Sequence, residues 1–325
     1  MIFKNSFHLL VDNFTLGFKM LLYKLICWAV TIGLSAALLY PTLSALFSSV
    51  PFIEASELIV DFFKALVSGN TDFLATFAEQ LSEKMSALIS YIQNNMTGVV
   101  YFVLSVALVV LVARFLSGLG NFAFGYLIDN KMSSYAKVSF TGALVSNLGK
   151  ASLWQLIYVP VTFVYDLIVL AVCYAFFLIL LNVISISLVA AFMALMLSVA
   201  LFLCSQALKL TFFNGVVPAL VCDKMKMGAA IRAGVSSCKG RFSMMFTTYL
   251  VAVLIILCTN VLCGVSSFGA ALLLTIPVSY LLLICIQFVS GYTFSRKKYF
   301  LNKDTIVKPE REEGDAQSFY DDFEI

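Results

Sequence analysis

The sequence predicts an all-α protein that crosses a lipid membrane six times. Hydrophobic residues make up 61% of the 325 residues and charged residues 12%, whereas soluble domains average roughly 45–50% and 25%. Six apolar stretches, 25–47, 99–122, 153–181, 183–213, 246–265 and 269–294, can each span ~30 Å of hydrocarbon, which takes about 20 helical residues. Because backbone groups in hydrocarbon must be satisfied internally and no alternating strand pattern appears, we expect helices.

Lysine and arginine accumulate on alternate connections between these stretches. They are in excess in the N-terminal segment, after the second and fourth stretches and after the sixth, but not on the other three connections. We count Lys209 with the loop after the fourth stretch. The positive-inside rule then predicts a multi-pass protein of the cytoplasmic (plasma) membrane, with both termini in the cytoplasm. The first stretch exceeds the ~7–15 residues of a signal-peptide core, so we expect a retained helix.

Amphipathic segments precede the first, third and fifth stretches. Their apolar residues recur at helical spacing: Phe3, Phe7, Leu10, Phe14 and Phe18; Phe140, Leu144, Leu148 and Ala151; Ile231, Val235, Cys238, Phe242 and Met245. Such stripes are typical of helices at a membrane surface, and we assign residues 1–24 to a cytoplasmic interfacial helix. We therefore predict three hairpins, each preceded by an interfacial helix. Chance similarity between amphipathic segments is the alternative.

The membrane domain, residues 25–300, contains a predicted extracellular helical insertion at 50–97. Charged Glu57, Asp61 and Lys64 are interspersed with apolar residues, and a second amphipathic run follows the turn at 68–71. We expect two helices there. The open alternatives are that they pack on each other, lie on the outer leaflet or present a groove to a protein partner.

The C-terminal residues 301–325 are predicted to be a disordered, acidic cytoplasmic tail. From Lys308 onward the segment is polar with net negative charge, which is typical of disorder. We expect this tail to be solubilising, and the alternative is that its aromatic residues among acids dock on a basic surface of a protein partner.

Composition argues against several functions. The net charge of +3 is too small and dispersed to indicate nucleic-acid binding. The single histidine and the absence of a Cys-x-x-Cys pair argue against a metal site, and the eight cysteines suit apolar packing. We also find no recognisable nucleophile–base pair, so we expect neither an enzyme nor a cofactor.

Two charged residues lie inside predicted spans, Arg114 in the second and Asp166 in the third. Each costs ~2.5–3.5 kcal/mol to insert on biological scales, which makes such residues candidates for function. One interpretation is an ion pair between the two helices, or Arg114 extending towards the cytoplasm. The other is a polar site in mid-membrane, with help from four further residues: Tyr158, Tyr165, Asn260 and Gln287.

One part of the sequence suggests a family. Its segments are Val217-Pro218-Ala219-Leu220, Ala230-Ile231-Arg232-Ala233-Gly234 and Lys239-Gly240-Arg241-Phe242. With the six spans, this part resembles bacterial six-helix membrane-domain families, including the membrane domain of some glycerophosphodiester phosphodiesterases and small inner-membrane proteins. The resemblance implies a six-span fold. The phosphodiesterase catalytic domain has no counterpart here, so that activity is not implied.

Two functions remain open from the sequence. The first is a non-enzymatic scaffold in the lipid bilayer that recruits protein partners through the insertion or the tail. The second is a transporter or permease subunit that uses the region around Arg114 and Asp166. A transporter requires a cavity that reaches these two side chains, whereas a scaffold predicts a closed bundle with the charges paired or buried. The oligomeric state does not follow from the sequence.

Overall fold

The structure is a computed structural model that describes residues 2–69, 71–183 and 187–308. The helices are α1 Ile2–Asp12, α2 Thr15–Phe47, α3 Val50–Ser68, α4 Thr71–Asn94, α5 Met96–Ser134, α6 Phe140–Val183, α7 Ser187–Phe213, α8 Val216–Val221, α9 Met227–Ser237, α10 Phe242–Ser266 and α11 Leu272–Phe294. Two short strands follow, β1 Tyr299–Phe300 and β2 Ile306–Val307. Six helices in this part of the chain are long and apolar enough to cross a membrane. The predicted all-α, multi-pass membrane fold is confirmed.

The segments before the spans differ from the prediction. The helix assigned to residues 1–24 ends at Asp12, where the Asn13 side chain donates to the carbonyl of Leu9, and α2 begins at Thr15. Residues 140–151 form no separate helix, because α6 runs from Phe140 to Val183 and continues even through Pro160. Before α10, α9 is a separate short helix, and Gly240 turns the chain with φ of 80°. The grouping into three hairpins stays a prediction.

The buried face of α1 includes only part of the predicted apolar stripe. Ile2, Leu9 and Leu10 are buried where α1 packs on α11, whereas Phe7 and Phe14 are exposed. Apolar residues occupy more than one side of this helix, so its exposed side also carries apolar residues such as Val11. Phe7 and Phe14 thus lie outside the packed face, whereas Phe3 contacts the core.

The chain divides into two compact units, Cys27–Ala113 and the described residues of Met1–Ile26 with Arg114–Ile325. In the first unit, α3 packs along α4, and Gly69 ends α3 in a left-handed conformation with φ of 70°. The rings of Phe62 and Phe77 lie 4.3 Å apart, and Lys84 pairs with Glu54 at 2.8 Å. The Glu54 carboxylate raises the pKa of Lys84. The insertion is thus a packed helical pair.

The core of the second unit lies where α1, α8, α9 and α11 pack against the end of α5 and the beginning of α6. Phe122, Phe124, Met132 and Trp154 are buried there. In five of the six spans, by contrast, 11% of the most apolar segment is buried within protein, compared with 44% in α11. Those exposed apolar segments suit contact with lipid.

The predicted tail begins inside the fold. β1 and β2 pair antiparallel, with Tyr299 opposite Val307, and the Tyr299 ring is 1% exposed. The Asn5 side chain of α1 donates to the Tyr299 hydroxyl at 2.9 Å. Residues 301–308 are therefore folded against the second unit. The rest of the predicted tail, 309–325, lies outside the described residues, as does the connection at 184–186.

Candidate functional site

A cavity of about 520 Å³ lies within the second unit. Side chains from five long helices, α5, α6, α7, α10 and α11, line it together with Val217 of α8. Both charged residues predicted from the sequence, Arg114 and Asp166, are among them. The cavity therefore reaches both of these side chains.

Asp166 is the centre of a charged cluster in the cavity wall. One oxygen of its carboxylate accepts a hydrogen bond from the Arg114 guanidinium at 2.7 Å. The other oxygen accepts one from the Lys209 ammonium at 2.8 Å and one from the Gln206 amide at 3.1 Å. Residues three apart share a face of a helix, so Gln206 and Lys209 on α7 reach the same carboxylate. The cluster thereby joins α5, α6 and α7.

Lys209 is the main correction to the sequence analysis. We counted it with the cytoplasmic loop, but it lies inside α7, four residues before the helix ends at Phe213. Its side chain is only 13% exposed and paired with Asp166. The available signal was the spacing of Gln206 and Lys209 at the end of an apolar stretch, which indicates one polar helix face.

The four residues expected to assist the site divide into two groups. Tyr158 and Gln287 line the cavity. Tyr165 lies beside it, since its hydroxyl donates to the carbonyl of Ser205 and its ring centre is 6.0 Å from the Lys209 nitrogen. Asn260 is not among the described lining residues and donates instead to Ser279 at 3.4 Å. The site includes the first two directly.

Further polar groups face the cavity without being predicted. Gln155 is 5% exposed, lines the cavity, and its amide forms no hydrogen bond with the described residues. The side-chain oxygen of Asn121, another lining residue, is buried and also has no partner among them. Lys24 is not itself a lining residue, but it donates to the lining residue Ser117 and lies 4.0 Å from the ring centre of Tyr280. Buried polar groups normally form hydrogen bonds, so such groups mark a place for a ligand or water.

Aromatic side chains form another part of the wall. Trp154 stacks on Tyr158 with ring centres 5.1 Å apart, and Phe213 meets the Tyr158 ring edge-on at the same distance. Phe122 and Phe202 also line the cavity. The site therefore combines a charged part with an apolar, aromatic part.

The three charges lie at similar depths along their helices. Asp166 is 17 residues before the end of α6 at Val183, and Arg114 is 18 residues after the beginning of α5 at Met96. At ~1.5 Å per residue these separations are about 26 and 27 Å. Lys209, 22 residues after the beginning of α7 at Ser187, lies about 33 Å along. Of the interpretations open from the sequence, the structure therefore shows a direct ion pair between Arg114 and Asp166.

Comparison with protein-family models, curated proteins and solved structures finds no match for this chain. The fold and the cavity therefore define the class, a multi-pass, all-α membrane protein with a charged cavity among its spans. Within the described ranges, no three His, Cys, Asp or Glu side chains are grouped to hold a metal ion.

Proposed function

We propose that this protein binds a polar small molecule in the cavity and carries it across the cytoplasmic membrane, as a transporter or permease subunit. The observation that carries the proposal is the cavity of about 520 Å³ that reaches both Arg114 and Asp166. Small-molecule sites typically measure ~300–1,000 Å³ and combine apolar walls with a few polar groups. Ionisable residues in spans, in turn, commonly mark substrate pathways.

The distribution of basic residues orients this site in the membrane. With the termini in the cytoplasm, α6 ends and α7 begins at the outer surface. A charge about 26–33 Å from that surface lies near the inner boundary of a hydrocarbon layer ~30 Å thick. The proposed ligand therefore meets the charged cluster on the cytoplasmic side.

The pairing of the charges is compatible with this role. Asp166 accepts three hydrogen bonds, which fix Arg114 and Lys209 in the cavity wall and offset part of the free energy of burying them. The Asp166 carboxylate thus holds Arg114 and Lys209 where a ligand would contact them. Binding and transport require no chemical step, and the proposal is of a non-enzymatic protein.

Transport can be tested before the substrate is identified. Proteoliposomes are loaded with a uniformly ¹³C-labelled extract of small metabolites, and mass spectrometry follows labelled compounds released to the outside. We expect the wild-type protein to release a subset of compounds faster than protein-free liposomes. If no labelled compound is released faster, the proposed function is wrong.

Two glycine variants provide the matched comparison. A side chain at Gly118 would collide with the Gln155 amide in the cavity, whereas Gly149, also in a helix, has open space beside it. Gly118→Leu should therefore reduce release of the transported subset at least tenfold, and Gly149→Leu should leave it unchanged. Equal release by the two variants would show that the cavity is not the route.

The helical insertion supports a second candidate function, recruitment of a protein partner. Phe63, Leu66 and Val67 of α3 are exposed, Val67 at 87%, although they are apolar. Exposed apolar groups that lie close together mark sites of contact with proteins or membranes. A photo-crosslinking residue at Val67, compared with one at Lys64 on the same helix, tests this in native membranes. Crosslinking to lipid alone from both positions would contradict recruitment.

A further inference from the structure

We infer that the cavity ligand is an amphiphilic monoanion, a small molecule with one carboxylate or phosphate group and an apolar body. This inference rests on the proposed function, because it takes the cavity to be the ligand site. It goes further by specifying the charge of the ligand and the part of the cavity that each portion of the ligand contacts.

The charged side chains of the cavity wall do not balance. Among the described lining residues, Arg114 and Lys209 are the cations and Asp166 is the carboxylate, which leaves one excess positive charge. An excess charge in a partly buried site is unfavourable unless a counter-ion approaches. A monoanion neutralises the cavity, whereas a cation would add to the repulsion.

The two cations in the wall have hydrogen-bond donors that the protein does not use. A guanidinium has five N–H donors and an ammonium has three. Each of Arg114 and Lys209 uses one of them on Asp166, and neither forms another hydrogen bond with a described residue. Charge-assisted hydrogen bonds to carboxylate or phosphate oxygens are the strongest use of such donors.

The amide of Gln155 also lies in the cavity wall. This side chain is 5% exposed, faces the cavity, and forms no hydrogen bond with the described residues. Gly118 provides its space, since any larger residue there would overlap the amide. The amide therefore keeps its hydrogen-bonding groups for a molecule in the cavity, and its N–H donors suit an oxygen of an anion.

The aromatic part of the wall indicates that the rest of the ligand is apolar. Trp154, Tyr158 and Phe213 form a continuous group of rings, with centres 5.1 to 6.1 Å apart. This surface would bury an aliphatic or aromatic body, because apolar burial is favourable by ~25 cal/mol per Å². A fully hydrophilic solute would leave these rings in contact with water.

The experiment uses the full chain in nanodiscs of phosphatidylcholine and reads the fluorescence of Trp154. The protein has two tryptophans, so Trp28→Phe leaves the cavity residue Trp154 as the only one. The probes share one chain length: hexanoate, hexyl phosphate, hexanol and hexylamine. We expect a saturable response to one or both anions, with a Kd at least tenfold below that of hexanol, and no saturable response to hexylamine. The two anions distinguish a carboxylate ligand from a phosphate ligand.

Lys209→Met is the decisive variant. It removes the excess charge and leaves Asp166 paired with Arg114, so the variant keeps one ion pair in the wall. We expect anion affinity to fall at least tenfold while hexanol affinity stays constant, which also corrects for partition of the probes into lipid. Lys209→Arg should retain anion binding. Lys64→Met, which removes an exposed cation from α3, should leave it unchanged.

The outcomes separate this inference from the proposed function. Equal binding of hexanol and the anions, or no saturable response to either anion, overturns the monoanion inference even if the proteoliposomes release a labelled compound. Selective anion binding that depends on Lys209, without any release from proteoliposomes, supports the ligand class and contradicts the proposed transport function.

Discussion

Replacing Asp166 with asparagine tests whether the charged cluster stabilises the helices around the cavity. Asparagine keeps the shape of the side chain but removes the negative charge that Arg114 and Lys209 share at 2.7 and 2.8 Å. Two cations then face each other without a counter-ion. Removing one member of a buried ion pair typically costs ~3–5 kcal/mol.

The expected magnitude follows from the exposure of the partners. The Lys209 side chain is 13% exposed, which favours a full penalty, whereas that of Arg114 is 36% exposed and can reach water. We therefore expect the lower end, about 3 kcal/mol. For chains of 150–250 residues, 1 kcal/mol shifts the melting temperature by ~2–4 °C, and the shift is smaller for longer chains. For 325 residues we take the lower end of this range, so the apparent midpoint should fall by about 6 °C.

Asp61→Asn is the matched control. Asp61 also pairs with a lysine, Lys64, at 2.8 Å, but both side chains are more than half exposed. Exposed pairs contribute ~0–1 kcal/mol, so this variant should shift the midpoint by at most about 2 °C. Thermal unfolding of both variants in the same nanodiscs, followed by tryptophan fluorescence, gives the comparison. Equal shifts for the two variants would refute the reasoning.

A charge-free variant completes the test. Arg114→Met, Asp166→Leu and Lys209→Met together replace the cluster with apolar groups of similar volume. Such replacements are often neutral or stabilising. We expect the midpoint to return to the wild-type value or above it, while binding of hexanoate and hexyl phosphate is lost. If thermal stability recovers but anion binding does not, the three charged side chains serve ligand binding rather than folding.

Two further predictions concern the fold. Gly234→Ala should destabilise the protein by ~1–3 kcal/mol, because its new Cβ would lie 2.8 Å from the backbone nitrogen of Val216. Gly228 lies on the same helix with open space beside it, so Gly228→Ala should be neutral or stabilise the protein by up to ~1 kcal/mol. The thermal unfolding midpoints of the two variants test this difference. Alkaline phosphatase fused after Gly69 should be active outside the cell, and the same enzyme fused after Lys308 should be inactive; an inactive fusion after Gly69 would contradict the topology.

The class of fold was predictable because hydrocarbon imposes a simple rule on sequence. About 20 apolar residues are needed for each span, and the backbone must be helical there. The ends of the helices were harder to predict from the sequence. α6 begins at Phe140 rather than near Leu153, since nothing in the sequence stops the helix where the hydrocarbon ends. Helix formation and membrane depth are separate properties, and hydropathy reports only the second.

The candidate site was predictable in part for the same reason. Arg114 and Asp166 stood out because a charge within an apolar stretch is costly. Lys209 did not, since a lysine near the end of a stretch is usually counted with the adjoining loop. Gln155 and Asn121 gave no signal, because an uncharged amide in a helix is common. Their role depends on the arrangement of α5 and α6 around the cavity, which a single sequence does not contain.

Under the proposed function, the cluster would couple ligand binding to the packing of three helices. Arg114 on α5 and Lys209 on α7 are held by the same carboxylate on α6. An anion that binds the free N–H donors of Arg114 and Lys209 would share these two cations with Asp166, and it would weaken the charge attraction that joins the three helices. Binding therefore shifts the relative free energies of different arrangements of α5, α6 and α7, as a ligand with unequal affinity for two conformations must. A carrier needs this property, and a purely structural ion pair does not.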